Sequence, residues 1–256
     1  MTCFYAWLQA LRGYILLVLV LTSAAVNAAE LQVLSAGAIE PGLAAAVTAF
    51  QRQTGHVVRV TFNTTPELRK RMQVQSAFDV VIAPPAVITD FASSGQLAEA
   101  RANVGRVGMG VTVRNGAPVP DISSAQALKQ SVLDAQSVVF NRASTGLYLE
   151  GLLRRMGIEA QVQAKATRYP DGASVLEHVI KGQGREIGFG AITEILLYQG
   201  KGLQLVGPLP AELQNYTAYT AAPLVSSTQP VLAQQFVVFL AGPVGKPLFV
   251  AAGVTD

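Results

Sequence analysis

Three segments of the sequence place small or hydroxyl residues where an apolar stretch gives way to a helix-forming one. They are SAGAIEPG (35–42), FNTTPEL (62–68) and FNRASTGLY (140–148). The first N–H groups of a helix lack partners inside the helix, and the helix dipole adds positive potential, so such starts can bind an anion. Ser, Thr and Asn are also good N-cap residues, and capping is the alternative explanation for any one segment. Together the segments favour a shared small-anion site that includes Gly37, Thr64, Thr65, Ser144, Thr145 and Gly146.

Residues suited to metal binding or nucleophilic catalysis are few. The two histidines are His56 and His178, and the single cysteine is Cys3. We therefore expect neither a metal nor a cofactor. The glycine-rich stretch KGQGREIGFG (181–190) lacks the Gly-Lys-Ser/Thr ending of a phosphate-binding P-loop, and no Gly-x-Ser-x-Gly nucleophile motif occurs.

Candidate general bases each have a simpler explanation. His178 lies in SVLEHVIKG, where a histidine on the helix surface or partly buried accounts for it, and Asp171 precedes a helix that it can cap. Tyr148 and Glu150 follow the third segment but lie one turn into its helix, where they can face away from a ligand. The residues by themselves do not choose between binding and catalysis.

The N-terminus has the form of a secretory signal peptide. Arg12 precedes the apolar run GYILLVLVLTSAAVNA, and Val26-Asn27-Ala28 supplies small residues before a predicted cut after residue 28. An uncleaved N-terminal anchor is the alternative. Removing Arg12 from the 19 basic residues leaves 18 against 16 acidic ones, a balance that does not predict a nucleic-acid partner. No second apolar run has the length of a membrane span, so we expect a soluble mature protein.

Strand-like and helix-like stretches alternate along the mature chain, which is typical of a mainly parallel sheet covered by helices. The first series has strands at 31–36, 56–62 and 78–83 and helices at 42–55, 66–75 and 86–95. The second follows RVGMGVTVRNG (106–116), with helices at 123–134, after the third segment and at 173–181, and strands at SVVF, around 160–166 and at 185–191. Return strands near 203–206 and 216–225 and one or two helices at 230–250 complete the chain. The pattern predicts two α/β lobes with ligands bound at the carboxyl ends of strands.

In this order the segments resemble the periplasmic molybdate-binding proteins, which have the two-lobed type 2 periplasmic-binding-protein fold. The resemblance rests on LQVLSAGAIEPGLAAAVTAFQRQTG, FNTTPEL with FDVVIAP, STGLYLEGLLRRMGI, GREIGFGAITE and LAQQFVVFLAGPVGKPLF. It implies one lobe from residues 29–107 and 215–256 and a second from 108–214, with an oxyanion held between them by hydroxyl and N–H groups. The implied ligand contacts fall on Ala38, Thr65 beside Thr64, Thr145, Ala173 and Ala191.

Two of these positions depart from the family's pattern. Ala38 stands where a serine is expected, which removes a hydroxyl donor, and Ala191 stands where a tyrosine is expected, which leaves more room. Arg142 in the third segment and Arg168 before the helix start at Pro170 supply guanidinium groups, which suit carboxylates. An outward-facing surface arginine is the alternative for Arg142. We therefore predict an anion larger than molybdate and favour an organic carboxylate, with an oxyanion as the alternative.

Two functions follow from the resemblance. The first is the capture of a small anion by a monomeric periplasmic protein, whose lobes close on the ligand and present it to the permease of an ABC importer. The second is a periplasmic enzyme on the same scaffold, with aconitate isomerase as the precedent. That enzyme would need donors for carboxylates and a base for a proton shift.

Overall fold

The computed structural model describes residues 28–74 and 77–256, so the predicted signal peptide lies, except for its last residue, outside the described part of the chain. Strands within that part are β1 Glu30–Ala36, β2 Val57–Asn63, β3 Val80–Ala83, β4 Ala102–Arg114, β5 Ser137–Asn141, β6 Ala166–Tyr169, β7 Glu186–Ala191, β8 Leu203–Pro208 and β9 Tyr216–Pro223. Helices are α1 Glu40–Thr54, α2 Thr65–Gln73, α3 Pro85–Ser93, α4 Ala125–Asp134, α5 Ser144–Arg155, α6 Glu159–Gln163, α7 Gly172–Lys181, α8 Ile192–Tyr198, α9 Pro230–Ala241 and α10 Gly245–Ala251. Short 3₁₀ turns lie at Gly37–Ile39, Gln199–Lys201 and Ala211–Leu213.

These strands form one sheet in the order β2-β1-β3-β9-β4-β7-β5-β6, with β8 also paired to β4. β1 is parallel to β2 and β3, and β5 is parallel to β6 and β7. β4 is antiparallel to all its partners: it pairs with β9 as far as Gly108, with β7 from Met109 onward and with β8 from Gly110 onward. This one long strand therefore runs through both lobes. The lobe boundaries at 107/108 and 214/215 stay a prediction, and the change of partner in β4 falls beside the first.

Each lobe buries apolar side chains between its part of the sheet and the helices. In the first lobe the ring of Phe50 in α1 meets those of Phe236 and Phe239 in α9 edge to face, with centroids 5.0 and 5.2 Å apart. In the second lobe Phe140 of β5 and Phe189 of β7 are fully buried. No single described helix is long and apolar enough to cross a membrane, although the bent pair α9–α10 passes by combined length and composition, and both of these helices bury residues in the protein.

Most of the predicted elements are confirmed, with ends generally moved by about two residues or fewer. The strand predicted around 160–166 is wrong, because Glu159–Gln163 forms α6 and β6 begins only at Ala166. β6 forms where it can pair with β5, and that pairing sets Ala166 opposite Val138. The apolar Val162 is buried by this helix. A distant pairing partner, and not the local pattern, decided where this strand begins.

Candidate functional site

A cleft of about 470 Å³ lies at the carboxyl ends of β1, β2, β5, β6 and β7. Each of these strands is followed by the start of a helix or turn, as expected for ligand sites in α/β sheets. The wall is formed by Ala36, Gly37, Ala38, Glu40, Phe62, Asn63, Thr64, Thr65, Glu67, Asn141, Ala143, Ser144, Thr145, Pro170, Asp171, Gly172, Ala173, Ala191, Glu194 and Tyr219.

The cleft collects most of the residues that the sequence indicated. The wall includes Gly37, Ala38, Thr64, Thr65, Ser144, Thr145, Ala173 and Ala191, and it does not include Gly146, Arg142 or Arg168. The three polar segments therefore meet in space, together with two further helix starts. That these residues contact a ligand stays a prediction.

Asn141, the last residue of β5, organises the start of α5. Its Oδ1 accepts hydrogen bonds from the N–H groups of Ala143 and Gly146 at 3.0 and 3.1 Å and from the Thr145 hydroxyl at 3.1 Å. A β-carbon on Gly146 would collide with the carbonyl group of Asn141, so this glycine is required by the helix start itself. The N–H groups of Ser144 and Thr145 have no partner within the helix, because they belong to its first turn.

The two arginines predicted to meet a carboxylate have other surroundings. The Arg142 side chain is exposed, and its backbone N–H donates to the carbonyl of Tyr169 at 2.8 Å. Arg168 pairs with Glu150, Nε to Oε1 at 3.2 Å, and its guanidinium lies 5.3 Å from the centroid of the Phe140 ring. Because both side chains lie outside the cleft wall, their positions do not support the prediction that the two guanidinium groups bind a carboxylate ligand.

Three of the four candidate bases lie away from the cleft wall and have partners elsewhere, namely His178, Tyr148 and Glu150. Asp171 does line the cleft. Its Oδ1 accepts a hydrogen bond from the N–H of Ser174 at 2.8 Å, which is the capping role that its sequence position indicated.

In the described part of the chain, hydrogen bonds connect the lobes at the cleft and beside it. The Thr65 and Ser144 hydroxyl oxygens, which begin α2 and α5, lie 3.2 Å apart although the residues are 79 positions apart in the chain. The Thr193 hydroxyl donates to the carbonyl of Ala38. Hydroxyl groups from opposite lobes therefore lie close enough to reach one bound anion together.

Glu194, the third residue of α8, contributes a carboxyl group to the wall. A β-carbon on Gly172 would collide with this carboxyl group, and one on Gly37 would lie 3.6 Å from its Oε1. Gly37 follows β1 and Gly172 begins α7, so the carboxyl group lies between helix starts that belong to different lobes. It is therefore placed inside the cleft and not at its rim.

The surroundings of Glu194 disfavour its charge. Burial is the main reason that the pKa of this carboxyl group rises to about 7. The negative charges of Asp171 and Glu40 act in the same direction, and a hydrogen bond from the backbone of Ala191 acts against them. Glu194 can therefore gain or lose a proton near neutral pH.

The charged residues of the wall are all acidic. They are Glu40, Glu67, Asp171 and Glu194, and the described wall residues include no lysine, arginine or histidine. Each acid lies at or just inside a helix start, where the helix dipole favours a negative charge. α5 differs, because its first turn carries no acid. Among the helix starts that line the cleft, its N-terminus is therefore the positive end that the wall carboxylates compensate least.

Comparison with known proteins connects this cleft to a family. The family profile described as bacterial extracellular solute-binding protein matches residues 31–255. The chain belongs to this family. Among its relatives, an aconitate isomerase from a Pseudomonas species is 30% identical over 218 residues, which is 82% of either chain.

Solved structures show the fold of this solute-binding protein. The periplasmic molybdate-binding protein of Azotobacter vinelandii has a TM-score of 0.74 at 18% identity, over 88% of this chain and 99% of that one. The sulfate-binding protein SubI of Mycobacterium tuberculosis has a TM-score of 0.72 at 16% identity, over 88% of this chain and 86% of that one. At such identities the likeness establishes the fold alone, and it confirms the predicted two-lobed type 2 periplasmic-binding-protein architecture.

Among the wall residues that the sequence did not single out, Asn63, Glu194 and Tyr219 have the most distinctive chemistry. Asn63 Nδ2 is buried without a hydrogen-bond partner in the described part of this solute-binding protein. Burial also raises the pKa of the Tyr219 hydroxyl, which keeps it neutral. Asn63 lies within the second polar segment, and Glu194 occupies the third helical position typical of a capping glutamate. Both signals were present, but neither distinguishes a ligand contact from a local structural role.

Proposed function

We propose that this solute-binding protein captures a small organic carboxylate in the periplasm and presents it to an ABC importer. The observation that carries the proposal is a cleft of about 470 Å³ bounded by helix starts. A tetrahedral oxyanion has four oxygens and needs roughly 120 Å³, at about 30 Å³ for each water-sized oxygen. The larger volume falls in the range of about 300 to 1,000 Å³ that is typical of sites for organic ligands.

The start of α5 is the anion-binding end of the proposed site. The N–H groups of Ser144 and Thr145 are available there, and no acid in the first turn competes for them. The Thr65 hydroxyl, 3.2 Å from that of Ser144, adds a donor from the other lobe. Ala38 and Ala191 are small, which leaves space for the remainder of an organic molecule.

Calorimetric titration of the purified protein tests the ligand class. The ligands are molybdate, tungstate, sulfate, and a set of di- and tricarboxylates that includes tricarballylate and trans-aconitate. We expect saturable binding and a rise in Tm with at least one carboxylate, and no response to the inorganic oxyanions. Tight molybdate binding with no carboxylate response would overturn the proposal.

A second candidate function, isomerisation of a small polycarboxylate, is favoured by Glu194. Its pKa of about 7 suits a group that must accept and donate a proton, and one relative of the chain is named aconitate isomerase. In such a reaction the Glu194 carboxylate would remove a proton from the methylene carbon of trans-aconitate. The double bond would move by one carbon, and the proton would return to the former alkene carbon, with no net oxidation.

Proton NMR of trans-aconitate incubated with the protein distinguishes the two functions. An isomerase produces cis-aconitate faster than buffer alone, and the Glu194→Gln variant, which cannot accept the proton, does not. If the wild-type protein binds trans-aconitate without converting it, the isomerase function is excluded and the capture function stands.

A further inference from the structure

We propose that Glu194 couples ligand binding to proton uptake: the cleft takes a di- or tricarboxylate, one of whose carboxylates accepts a hydrogen bond from the protonated Glu194 carboxyl group. This inference rests on the proposed carboxylate-binding function. It states which group of the protein contacts the part of the ligand that lies beyond the start of α5. It applies to the capture function, because a Glu194 that is protonated in the complex cannot act as the base of the isomerase function.

The first argument is the position of the carboxyl group. Glu194 lies against Gly172 so closely that no β-carbon fits there, and its Oε1 is 3.6 Å from the position of a β-carbon on Gly37. Both glycines line the cleft, as does Glu194 itself. A ligand bound at the start of α5 that fills the cleft must therefore meet this carboxyl group with its other end.

The second argument is the charge around it. The acids facing Glu194 are Glu40 from α1 and Asp171 from the N-cap of α7. Burial is the main reason that the pKa values of the Tyr219 hydroxyl on β9 and the Tyr198 hydroxyl on α8 are raised, and the charge of Glu194 adds to both, so both stay neutral. With no cation in the described wall, an ionised Glu194 would repel a carboxylate. A protonated Glu194 is instead a neutral hydrogen-bond donor to it.

The third argument separates this role from helix capping. Glu194 accepts a hydrogen bond from the backbone of Ala191, the N-cap of α8, as a capping glutamate does. A glutamate that only caps a helix is held in its charged form by the dipole and the N–H group, which lowers its pKa. Here burial and the neighbouring acids outweigh that effect, and the pKa is raised to about 7. The site thus keeps a proton available at the pH where carboxylate ligands have lost theirs.

Thermodynamic linkage gives the expected sign. A bound carboxylate adds negative charge near Glu194 and raises its pKa further, so the complex holds a proton that the free protein has partly lost. Above about pH 7 we expect affinity to fall by up to tenfold for each pH unit, with nearly one proton taken up per ligand. Below about pH 6 the free protein is already protonated, and uptake falls towards zero.

Isothermal titration calorimetry with tricarballylate tests the inference. Titrations at pH 6, 7 and 8, each in buffers of different ionisation enthalpy, give the number of protons exchanged. Glu194→Gln should bind with pH-independent affinity, within a few-fold of the wild-type value at pH 6, because the glutamine amide also donates. Glu177→Gln, on an exposed glutamate paired with Lys181 outside the cleft wall, is the matched control and should keep the wild-type pH profile.

Three results would overturn the inference. The first is proton release on binding, which would indicate a ligand cation at Glu194. The second is wild-type binding at pH 8 without proton exchange. The third is proton uptake that persists in Glu194→Gln. In each of them a carboxylate still binds, so the proposed function survives. If no di- or tricarboxylate binds at any pH, the proposed function fails and the inference fails with it.

Discussion

Replacing Glu194 with glutamine is expected to remove a pH-dependent destabilisation of the ligand-free protein. The carboxyl group titrates near 4.5 in an unfolded chain and near 7 in the folded protein. Between these two pH values the unfolded state releases the proton while the folded state retains it, so the free energy of unfolding decreases as the pH rises. At 1.36 kcal/mol per pH unit, the difference between the pKa values of Glu194 in the unfolded and folded states corresponds to about 3 kcal/mol. Water in the open cleft screens part of this effect, and we expect about 2 to 3 kcal/mol.

Urea unfolding from pH 4.5 to pH 8.5 measures this effect. Other carboxylates titrate in the same range, and subtracting the wild-type from the Glu194→Gln free energy of unfolding at each pH cancels their contributions. The difference should grow by about 2 to 3 kcal/mol between pH 4.5 and pH 8, which corresponds to a gain of about 4 to 12 °C in Tm for a chain of this size. Glu177→Gln, treated in the same way, should give a flat difference. A flat difference for Glu194→Gln would show that folding does not raise the pKa of Glu194 and would refute the reasoning.

Three further predictions concern the cleft wall and α5. Gly146→Ala should destabilise the protein by about 2 to 4 kcal/mol, because its β-carbon would collide with the end of β5. Gly151→Ala in the same helix meets only the tip of a side chain and should stabilise the protein by about 0.5 to 1 kcal/mol. Equal effects of the two substitutions in urea unfolding would contradict this. Thr65→Val and Ser144→Ala should each weaken tricarballylate binding by about tenfold, since each removes a donor to a desolvated anion, and unchanged calorimetric affinity in both would exclude their roles. Asn63→Leu replaces an unpartnered buried amide with an apolar group of similar shape, so it should raise the Tm of the free protein and lower its affinity for tricarballylate. A fall in both the Tm and the affinity would indicate a purely structural asparagine.

Much of the fold was predictable because its signals are local. Alternating strand and helix patterns identified most elements, and small or hydroxyl residues identified the helix starts at Thr65 and Ser144. The strand predicted at 160–166 failed because β6 forms only where β5 offers a partner, beginning at Ala166. A local pattern carries no information about which backbone will be available for pairing.

The arginines show the corresponding limit for side chains. Arg142 and Arg168 lie in segments that do reach the cleft, yet neither side chain lines it. Arg168 instead pairs with Glu150 on α5. Proximity in the sequence to a wall residue could not reveal this, because the direction of a side chain depends on the partners that other elements present to it.

The sequence by itself determined most of the strands and helices, the two-lobed family fold, and the presence of three helix starts suited to an anion. Only the tertiary structure decided that these starts converge, with the Thr65 and Ser144 hydroxyl oxygens 3.2 Å apart. It also decided that Glu194, which in the sequence is an ordinary capping glutamate, lies among Glu40 and Asp171 with its pKa raised to about 7. The physical reason is that helix starts arise from neighbouring residues, whereas burial and Coulomb interactions are set by residues that are distant in the chain and adjacent only in the folded protein.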